Sequence, residues 1–270
     1  MSSLRWRASM DLLIRPRLTL PQVTLLAVTS VNLAATLAAL KMTMSEVTFG
    51  AVKLLTDRDP GPLPPGLQTV NIPPIISAEA YSHFVLRSLP DYVYTSHALL
   101  VQWDGHVLDA QRWRPEFLEF DYVGARWPQF TDGYDVGNGG FSLRSRALMD
   151  ACRDPAFRLS HPEDVAICRV NRDLLEARGL RFAPKELADA FSVERAGSLS
   201  SSFGYHGVWH MPRLFGVEKF WRIYRGLDER TSVRHDFASL LWQLARGRGG
   251  MVRSIGLVAD RLCDAINSRL

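Results

Sequence analysis

The 270-residue chain has few cysteines and no long apolar run, and both absences narrow what it can be. Cys152, Cys168 and Cys263 lie far apart without a CxxC pair, which argues against a disulfide framework or zinc–thiolate site and predicts a reducing compartment. No stretch reaches the ~20 apolar residues of a membrane-spanning helix, and residues 23–40 come closest. Since no secretory signal pattern is present either, we expect a cytoplasmic protein, soluble or bound peripherally to the inner face of the membrane.

Three familiar functional motifs are also missing. The glycine-rich loop Gly137–Gly140 is not followed by Gly-Lys-Ser/Thr, so it does not form a P-loop. The dinucleotide fingerprint GxGxxG and the nucleophile motif GxSxG are absent as well. The sequence therefore gives no support to a P-loop NTPase, a dinucleotide-dependent enzyme or a serine hydrolase of the usual patterns.

The net charge of +4 is unevenly distributed along an otherwise ordinary globular composition. Residues 211–270 contain eleven Lys and Arg against six Asp and Glu, and the first twenty residues contain four arginines. A solvated basic surface, an anionic membrane surface and nucleic acid would each account for this charge, and nucleic acid is the least favoured partner.

The N-terminal half has the pattern of a doubly wound α/β layer. Residues 18–28 are continuously apolar in their second half, which is typical of a strand buried on both faces. Asn32 can cap a helix that runs to about residue 45, and residues 49–55 form the next strand. Residues 98–104 predict a third buried strand that ends on an acid.

The remaining elements are assigned from turn residues and helical periodicity. We predict an irregular connection at residues 61–74 and helices at residues 78–89, 142–152 and 161–179. Short strands are predicted at residues 120–124 and 191–194, and a glycine- and aromatic-rich loop at residues 203–210. Ser142 and either Ser160 or His161 would cap two of these helices. Amphipathic helices are predicted at residues 220–224, 237–244 and 255–266, with a break at Gly247.

Three regions follow from this pattern. Residues 1–17 form a basic N-terminal extension, residues 18–214 the α/β domain, and residues 215–270 a basic helical tail. The tail is predicted to be either a small helical appendage or a surface anchor.

Asp104 ends a predicted strand, which is where α/β proteins bind ligands. A carboxylate at that point commonly holds a divalent cation that bridges nucleotide phosphates, because hard cations prefer oxygen ligands. A turn-forming role before Gly105 explains the same residue without a ligand.

Glu163 and Asp164 stand side by side at a predicted helix start. Negative charge there stabilises a helix by roughly 0.3–1 kcal/mol, which explains one acid without any catalytic role. Alternatively, one of them is a general base for an acceptor hydroxyl. A helix N-terminus lowers a carboxyl pKa, so the second role requires burial or a neighbouring acid to raise it.

Two further segments offer binding groups. The glycines around Asn138 allow the backbone to approach a ligand closely. His206 and His210 lie in the aromatic loop, where one of them is a credible metal ligand and both together are less so. Tyr205 and Trp209 would either stack on a sugar or base, or simply pack in the core.

In this order, the segments resemble the common core of GT-A-fold glycosyltransferases. More narrowly, they resemble a glycosyltransferase-like family long catalogued as a domain of unknown function, over roughly residues 23–211. The segments that carry the resemblance are Gln102–Asp104, Asp121–Ala125, Gly137–Arg144, Glu163–Val165, Phe191–Glu194 and Phe203–His206. The resemblance implies a GT-A-like, Rossmann-like fold, with a mostly parallel central sheet flanked by helices and a C-terminal helical appendage.

The resemblance also implies roles for individual residues. Asp104 corresponds to the last acid of the metal-binding Asp-x-Asp motif, His206 to the late metal-binding histidine, and Asp164, beside Glu163, to the catalytic base. The residues implied in nucleotide and donor binding are Thr29, Asn32, Asp57, Gln102, Trp103 and Asp104. The loop residues implied near acceptor and donor are Asn138, Gly139 and Gly140.

These roles lead to an inverting, nucleotide-sugar-dependent glycosyltransferase as the main hypothesis. The expected donor is a UDP-sugar, the acceptor a saccharide or lipid-linked hydroxyl, and the cofactor Mn or Mg. Gln102 departs from the family pattern, because it replaces the first acid of Asp-x-Asp and leaves fewer charges for the metal. This departure favours the alternative hypothesis, a non-catalytic nucleotide-sugar or glycan-binding module on the same fold.

Overall fold

A continuous apolar strand lies at the centre of the fold, as the sequence predicts. In the computed structural model, which describes residues 17–246 and 249–267, this strand spans Leu18–Val28. Leu25 and Ala27 enter one hydrophobic cluster, whereas Leu26 and Val28 enter another. The strand is thus covered on both faces, which is why its sequence does not alternate.

The strands form one large sheet and two small ones. They are β1 (Leu18–Val28), β2 (Val47–Thr56), β3 (Leu67–Asn71), β4 (His97–Val101), β5 (Gly105–Val107), β6 (Tyr122–Val123), β7 (Ala125–Arg126), β8 (Val136–Gly137), β9 (Phe141–Ser145), β10 (Ser192–Val193) and β11 (Gly204–His206). The large sheet has the order β3-β2-β1-β4-β9-β6, in which β9 runs antiparallel to its neighbours and the other pairs are parallel.

Helices flank this sheet and continue beyond it at the C-terminal end. They are α1 (Leu33–Glu46), α2 (Ala78–Arg87), α3 (Arg146–Ala151), α4 (Glu163–Val165), α5 (Arg172–Glu176), α6 (Lys185–Phe191), α7 (Met211–Phe215), α8 (Val217–Arg225), α9 (Thr231–His235), α10 (Phe237–Ala245) and α11 (Gly250–Asn267). A π-helical turn, Ala166–Val170, joins α4 to α5. The predicted class, an α/β fold with a mainly parallel central sheet, is confirmed.

The strand order produces a crevice at one edge of the sheet. From β1 the chain proceeds to β2 and β3 on one side, and then returns to β4 on the other side of β1. The connections leaving β1 and β4 therefore diverge, and the carboxyl ends of these two strands form a topological switch point. Residues 29–32 and 102–104 leave the sheet at this point.

A three-stranded sheet brings two distant segments together beside the crevice. Strand β11 pairs antiparallel with β5, so that His206 lies opposite Gly105. Only a glycine fits here, because a Cβ on Gly105 would lie 2.8 Å from the backbone oxygen of Tyr205. The pairing places His206 next to Asp104.

Several local assignments differ from the sequence-based prediction. The connection 61–74 contains β3, which pairs with β2. Ser142 does not cap a helix but lies within β9, and Ser145 caps α3 by accepting the Leu148 N–H at 3.0 Å. Segment 203–210 is not merely a loop, since it contains β11. Pro162, rather than Ser160 or His161, precedes α4.

The C-terminal helices share a hydrophobic core with the small sheet. Phe220, Tyr224, Leu240 and Leu244 are buried in one cluster with Tyr205 of β11. The domain boundary at residue 214 stays a prediction; residues 1–16 of the proposed extension and the break at Gly247 lie outside the described residues. In the described part of the chain, no helix combines the length and apolar character needed to cross a bilayer.

Candidate functional site

A cavity of about 580 Å³ opens at the carboxyl ends of β1 and β4. Most residues predicted to form the site line it: Thr29, Asn32, Gln102, Trp103, Asn138, Gly139, Gly140, Glu163, Asp164 and His206. Asp104 is buried directly against His206. Asp57 is not among the lining residues, so the structure brings together all the predicted residues except this one.

Asp164 is held at the cavity wall by backbone donors. Its Oδ2 accepts the N–H of Gly139 at 3.1 Å, and its Oδ1 accepts the N–H of Val165 at 2.8 Å. Burial, and next the neighbouring Glu163 carboxylate, raise the pKa of Asp164 to about 6 despite these donors. Burial and a neighbouring acid, the two conditions that can raise the pKa of a general base at this helix start, are therefore both present.

Glu163 is a buried charge with its own counterion. Its Oε1 accepts from Nη2 of Arg144 at 3.2 Å, and both side chains are almost fully buried. Arg144 also donates to the Ser142 hydroxyl at 3.1 Å. Removal of either partner from such a buried pair leaves an uncompensated charge. The pair thus fixes β9 to α4 and keeps Asp164 at the cavity.

The glycine loop lies between the two acids and the histidine. Asn138 adopts a left-handed conformation with φ 71°, and its Oδ1 accepts the N–H of Gly140 at 2.9 Å. A Cβ on Gly139 would lie 2.0 Å from Oε1 of Glu163, and one on Gly140 would lie 2.1 Å from Nε2 of His206. Both glycines are therefore required for this close packing. The Nδ2 of Asn138 is buried without a hydrogen-bond partner among the described residues.

Asp104 and His206 face each other with unsatisfied atoms. Oδ1 of Asp104 and Nε2 of His206 are 3.4 Å apart, and within the described chain neither has a hydrogen-bond partner. On its other side, Nδ1 of His206 lies 3.4 Å from Oε1 of Glu194. Burial alone would lower the pKa of His206, but the Asp104 and Glu194 carboxylates raise it to about 10.

This pair fits two of the ligands of a divalent cation. The separation is close to that of neighbouring ligands around one small cation, about 3 Å. Glu194 is placed to orient the imidazole, as carboxylates commonly do for metal-bound histidines. Across the described residues, no group of three or more His, Cys, Asp or Glu side chains is arranged to hold a metal ion. A cation here would therefore need further ligands from a bound substrate or water.

Gln102 contributes to the wall through neutral hydrogen bonds. Its Nε2 donates to the hydroxyl of Tyr81 at 3.1 Å, and its backbone N–H donates to the Gly140 oxygen at 2.9 Å. Gln102 thus links α2 to the glycine loop. Trp103, the next residue, packs against the cluster of the C-terminal helices.

Thr29 and Asn32, which follow β1, both line the cavity but form different hydrogen bonds. The Thr29 hydroxyl is bonded locally to the Val31 oxygen. Asn32 has φ 52° and caps nothing with its side chain, contrary to the prediction; its amide instead bonds to the loop at Asp228 and Glu229. Its contribution to the site therefore includes the position of that loop.

Sequence reasoning missed several residues at the site. Tyr81, Glu194, Glu229, Thr231 and Ser232 line the cavity and were not predicted to do so. Arg144, which pairs with Glu163 beside the cavity, was not among the predicted site residues either. A charged residue in the otherwise uncharged run 140–145 is a signal that could have indicated a buried ion pair.

The second histidine of the aromatic loop has a structural position. His210 is buried, and its Nε2 lies 2.9 Å from the backbone oxygen of Glu194. Burial lowers the pKa of His210. His206 lines the cavity and His210 does not, which agrees with the prediction that one histidine rather than both is available to a ligand.

The arrangement provides two kinds of chemistry at one cavity. Asp164 can accept a proton near neutral pH, because its pKa is raised towards that range. A cation that binds between Asp104 and His206, next to the same glycine loop, must displace the proton of the imidazole, whose pKa is raised to about 10. Gly139 contacts Asp164 and the next residue, Gly140, packs against His206, so the two groups of residues lie side by side.

Comparison with known families gives one match. A model of the family described as "Protein of unknown function (DUF5672)" matches residues 67–206, which is just over half of the chain. The matched segment contains Asp104, the glycine loop, Asp164 and His206. No curated protein sequence matches the chain.

Solved structures of three glycosyltransferases show weak similarity. The mannosyltransferase PcManGT from Pyrobaculum calidifontis, in complex with GDP-Man and Mn2+, is 10% identical, with 92% of this chain and 78% of that chain covered and a TM-score of 0.42. A glycosyltransferase involved in glycosylation of the major capsid of PBCV-1 is 10% identical, with 75% and 98% covered and a TM-score of 0.44.

The third is the glycosyltransferase GlyE of Streptococcus pneumoniae TIGR4. It is 12% identical, 59% of this chain and 44% of that chain are covered, and the TM-score is 0.35. The chain thus spans about half the length of GlyE, since it covers 44% of this structure and 51% of the apo form. At these scores, the similarities establish neither a shared activity nor a shared ligand.

Proposed function

The chain belongs to the DUF5672 family, and we propose that it is an inverting glycosyltransferase that uses a nucleotide-sugar donor. One observation carries this proposal: an acid with a raised pKa and a pair of unsatisfied Asp and His atoms lie on either side of one glycine loop. The location at a topological switch point is where α/β folds bind nucleotides. The resemblance of the motif order to GT-A-fold glycosyltransferases supports the same function.

Asp164 acts as the general base in this proposal. Its carboxylate takes the proton of an acceptor hydroxyl, whose oxygen forms a bond to the anomeric carbon. The bond between that carbon and the phosphate oxygen breaks at the same time, and the nucleoside diphosphate leaves with the electron pair. Attack from the face opposite the leaving group inverts the configuration. General base catalysis of this kind contributes roughly 10²–10⁴-fold to the rate.

The other residues of the cavity bind and orient. Glu163, neutralised by Arg144, fixes the backbone that carries Asp164. Asn138 has an unpartnered Nδ2 donor for a substrate oxygen. Thr29, Gln102 and Trp103 line the donor side of the cavity.

Asp104 and His206 are the residues that would hold Mn or Mg, with Glu194 behind the imidazole. When bound, the cation would stabilise negative charge on the departing diphosphate. We propose UDP-sugars as the first donors to test, and a saccharide or lipid-linked hydroxyl as the acceptor.

A second candidate function is a binding module that retains the donor site but transfers nothing. Gln102 favours it, because the neutral amide leaves the cavity with one acid fewer than the Asp-x-Asp pattern. Such a module would bind a nucleotide sugar without consuming it.

The test is a donor screen with the purified chain. UDP-, GDP-, and other nucleotide sugars are incubated with and without Mn, and released nucleoside diphosphate is measured alongside calorimetric binding. Metal-dependent binding with slow donor hydrolysis supports the transferase. Binding without any turnover, with acceptors supplied, supports the module, and binding of no nucleotide sugar removes both.

We also propose that the C-terminal helices contact an anionic membrane surface, which would place the enzyme near a lipid-linked acceptor. Helices α10 and α11 expose a group of apolar side chains: Trp242, Met251, Val252, Ile255 and Leu262. The guanidinium of Arg246 lies 3.2 Å from the centre of the Trp242 ring, so basic and apolar groups occur together.

Vesicle flotation tests this contact. The wild type should float with phosphatidylglycerol vesicles and not with phosphatidylcholine, and Met251→Ser/Ile255→Ser should float less. Tyr94→Ser, which removes an exposed aromatic side chain elsewhere, is the control. Equal flotation of the wild type and the double variant would rule the contact out.

A further inference from the structure

A C-terminal loop is fastened to the connection that follows β1. The Asn32 amide oxygen accepts the backbone N–H groups of Asp228 and Glu229, both at 3.0 Å. Its Nδ2 donates to the Glu229 oxygen at 2.8 Å. Asn32 is buried, and these three bonds use both acceptor sites of its amide oxygen and one of its two N–H donors.

A second set of bonds holds the same loop from outside. The Asp228 carboxylate accepts the Asn32 backbone N–H through Oδ1 and pairs with Nη1 of Arg58 through Oδ2. The two contacts join residues that are 196 and 170 positions apart in the sequence. The loop is therefore fixed to the ends of both β1 and β2.

This attachment makes residues 229–232 part of the cavity wall. Glu229, Thr231 and Ser232 line it together with Thr29 and Asn32. They lie on the β1 side of the switch point, whereas Asp104, His206 and the glycine loop lie on the β4 side. The C-terminal loop thus forms the part of the cavity wall beside the connection that follows β1.

Glu229 offers a carboxylate in this part of the cavity wall. Its Oε1 accepts the N–H of Thr231 at 2.6 Å and also the Thr231 hydroxyl, which holds the side chain in place. Within residues 17–246 and 249–267, no group bonds to Oε2. A fixed carboxylate is a suitable acceptor for hydroxyl donors, as the ribose-binding acids of dinucleotide-binding folds illustrate.

We infer that the loop 228–232 completes the nucleoside end of the donor site, with Glu229 accepting hydrogen bonds from the ribose hydroxyls. The inference rests on the proposed function, because it requires a nucleotide donor with its diphosphate towards Asp104 and His206. Asn32 is a positioning residue here: it holds the loop that presents Glu229. The ligand chemistry is a vicinal diol, and its source is the ribose of the nucleotide.

Calorimetry with nucleoside diphosphates tests the inference. UDP, GDP, ADP and CDP are titrated into the wild-type chain, and the tightest binder is then compared with its 2′-deoxy and 3′-deoxy forms. Glu229→Gln should weaken binding of the ribose form about tenfold, since hydrogen bonds to a charged group are the stronger ones. The same variant should bind the ribose and deoxyribose forms almost equally. Glu218→Gln, at an exposed glutamate on α8, is the matched control.

Asn32→Ala should bring the same loss of ribose discrimination, and combining it with Glu229→Gln should add little further. Thermal melting of each variant shows whether the chain remains folded. Wild type that binds a nucleoside diphosphate but does not distinguish ribose from deoxyribose would overturn the inference alone, as would Glu229→Gln with unchanged affinity. Wild type that binds none of the four nucleotides would overturn the proposed function together with the inference.

Discussion

The two sides of the glycine loop differ in how their polar atoms are satisfied. On the Gly139 side, Asp164 accepts two backbone N–H groups and Glu163 is paired with Arg144. On the Gly140 side, Oδ1 of Asp104 and Nε2 of His206 contact each other at 3.4 Å and have no hydrogen-bond partner in the described chain. Buried polar groups are normally hydrogen-bonded, so the two sides should respond differently to substitution and to added metal.

The largest effect on the rate of transfer is expected from a substitution on the Gly139 side of the loop. Asp164→Asn removes the base while its amide oxygen can still accept a backbone N–H, so transfer should fall by roughly 10²–10⁴-fold. Nucleotide binding should be nearly unchanged, because the variant leaves Asp104 and His206 intact. Rate and calorimetric measurements check both parts, with Asp59→Asn, an exposed acid, as control. Full activity in Asp164→Asn would exclude this residue from the mechanism.

Removal of Arg144, the buried counterion of Glu163, should lower the free energy of unfolding as well as the activity. Arg144→Met leaves the Glu163 carboxylate buried without its counterion, and we expect the free energy of unfolding to fall by about 3–5 kcal/mol. Urea denaturation measures this loss. Arg144→Met/Glu163→Gln removes both charges and should be less destabilised than the single variant. A double variant that is less stable than the single one would contradict the account of a desolvated charge.

On the Gly140 side of the loop, nucleotide binding should depend on metal and should not depend on the Asp164 base. Manganese should tighten UDP binding to the wild type and to Asp164→Asn, whereas in Asp104→Asn the manganese effect should disappear. Glu194→Gln, which alters only the group behind His206, should reduce the manganese affinity about 10–100-fold. Titration with and without a chelator gives these values. An undiminished manganese effect in Asp104→Asn would show that the cation binds elsewhere.

The smallest of these effects is the dependence of activity on pH. Burial and Glu163 raise the pKa of Asp164 to about 6, and only its ionised form can accept a proton. The value of kcat/KM should therefore fall as the pH drops through about 6, by about tenfold per pH unit below it. Glu163→Gln removes the neighbouring charge and should move this decline to lower pH. A profile that is flat between pH 5 and 8 would argue against Asp164 as the base.

The sequence was sufficient for the features that depend on local pattern or motif order. The strand Leu18–Val28 and the helix that follows it are read from apolar runs and a polar interruption. The convergence of Asp104, Asp164 and His206 on one cavity follows the order of the motifs along the chain. Their roles stay predictions until the variants above are measured.

The sequence was insufficient where distant strands decide local structure. Residues 142–145 were predicted to begin a helix, but they belong to β9, which pairs with β4 on one side and β6 on the other. Those hydrogen bonds, and the Arg144–Glu163 contact, depend on residues far away in the sequence. In the same way, the glycines near residue 204 predicted a loop. A Cβ on Gly204 would lie 2.2 Å from the Phe141 ring, so here glycine permits close packing of a strand.

The attachment of the C-terminal loop to Asn32 has a consequence for the order in which the protein becomes functional during its synthesis. Asn32 is synthesised about two hundred residues before Glu229, Thr231 and Ser232. A nascent chain that already contains the sheet, the glycine loop and Asp164 still lacks one wall of its cavity. The growing polypeptide thus stays without a complete cavity until residues 229–232 have been translated.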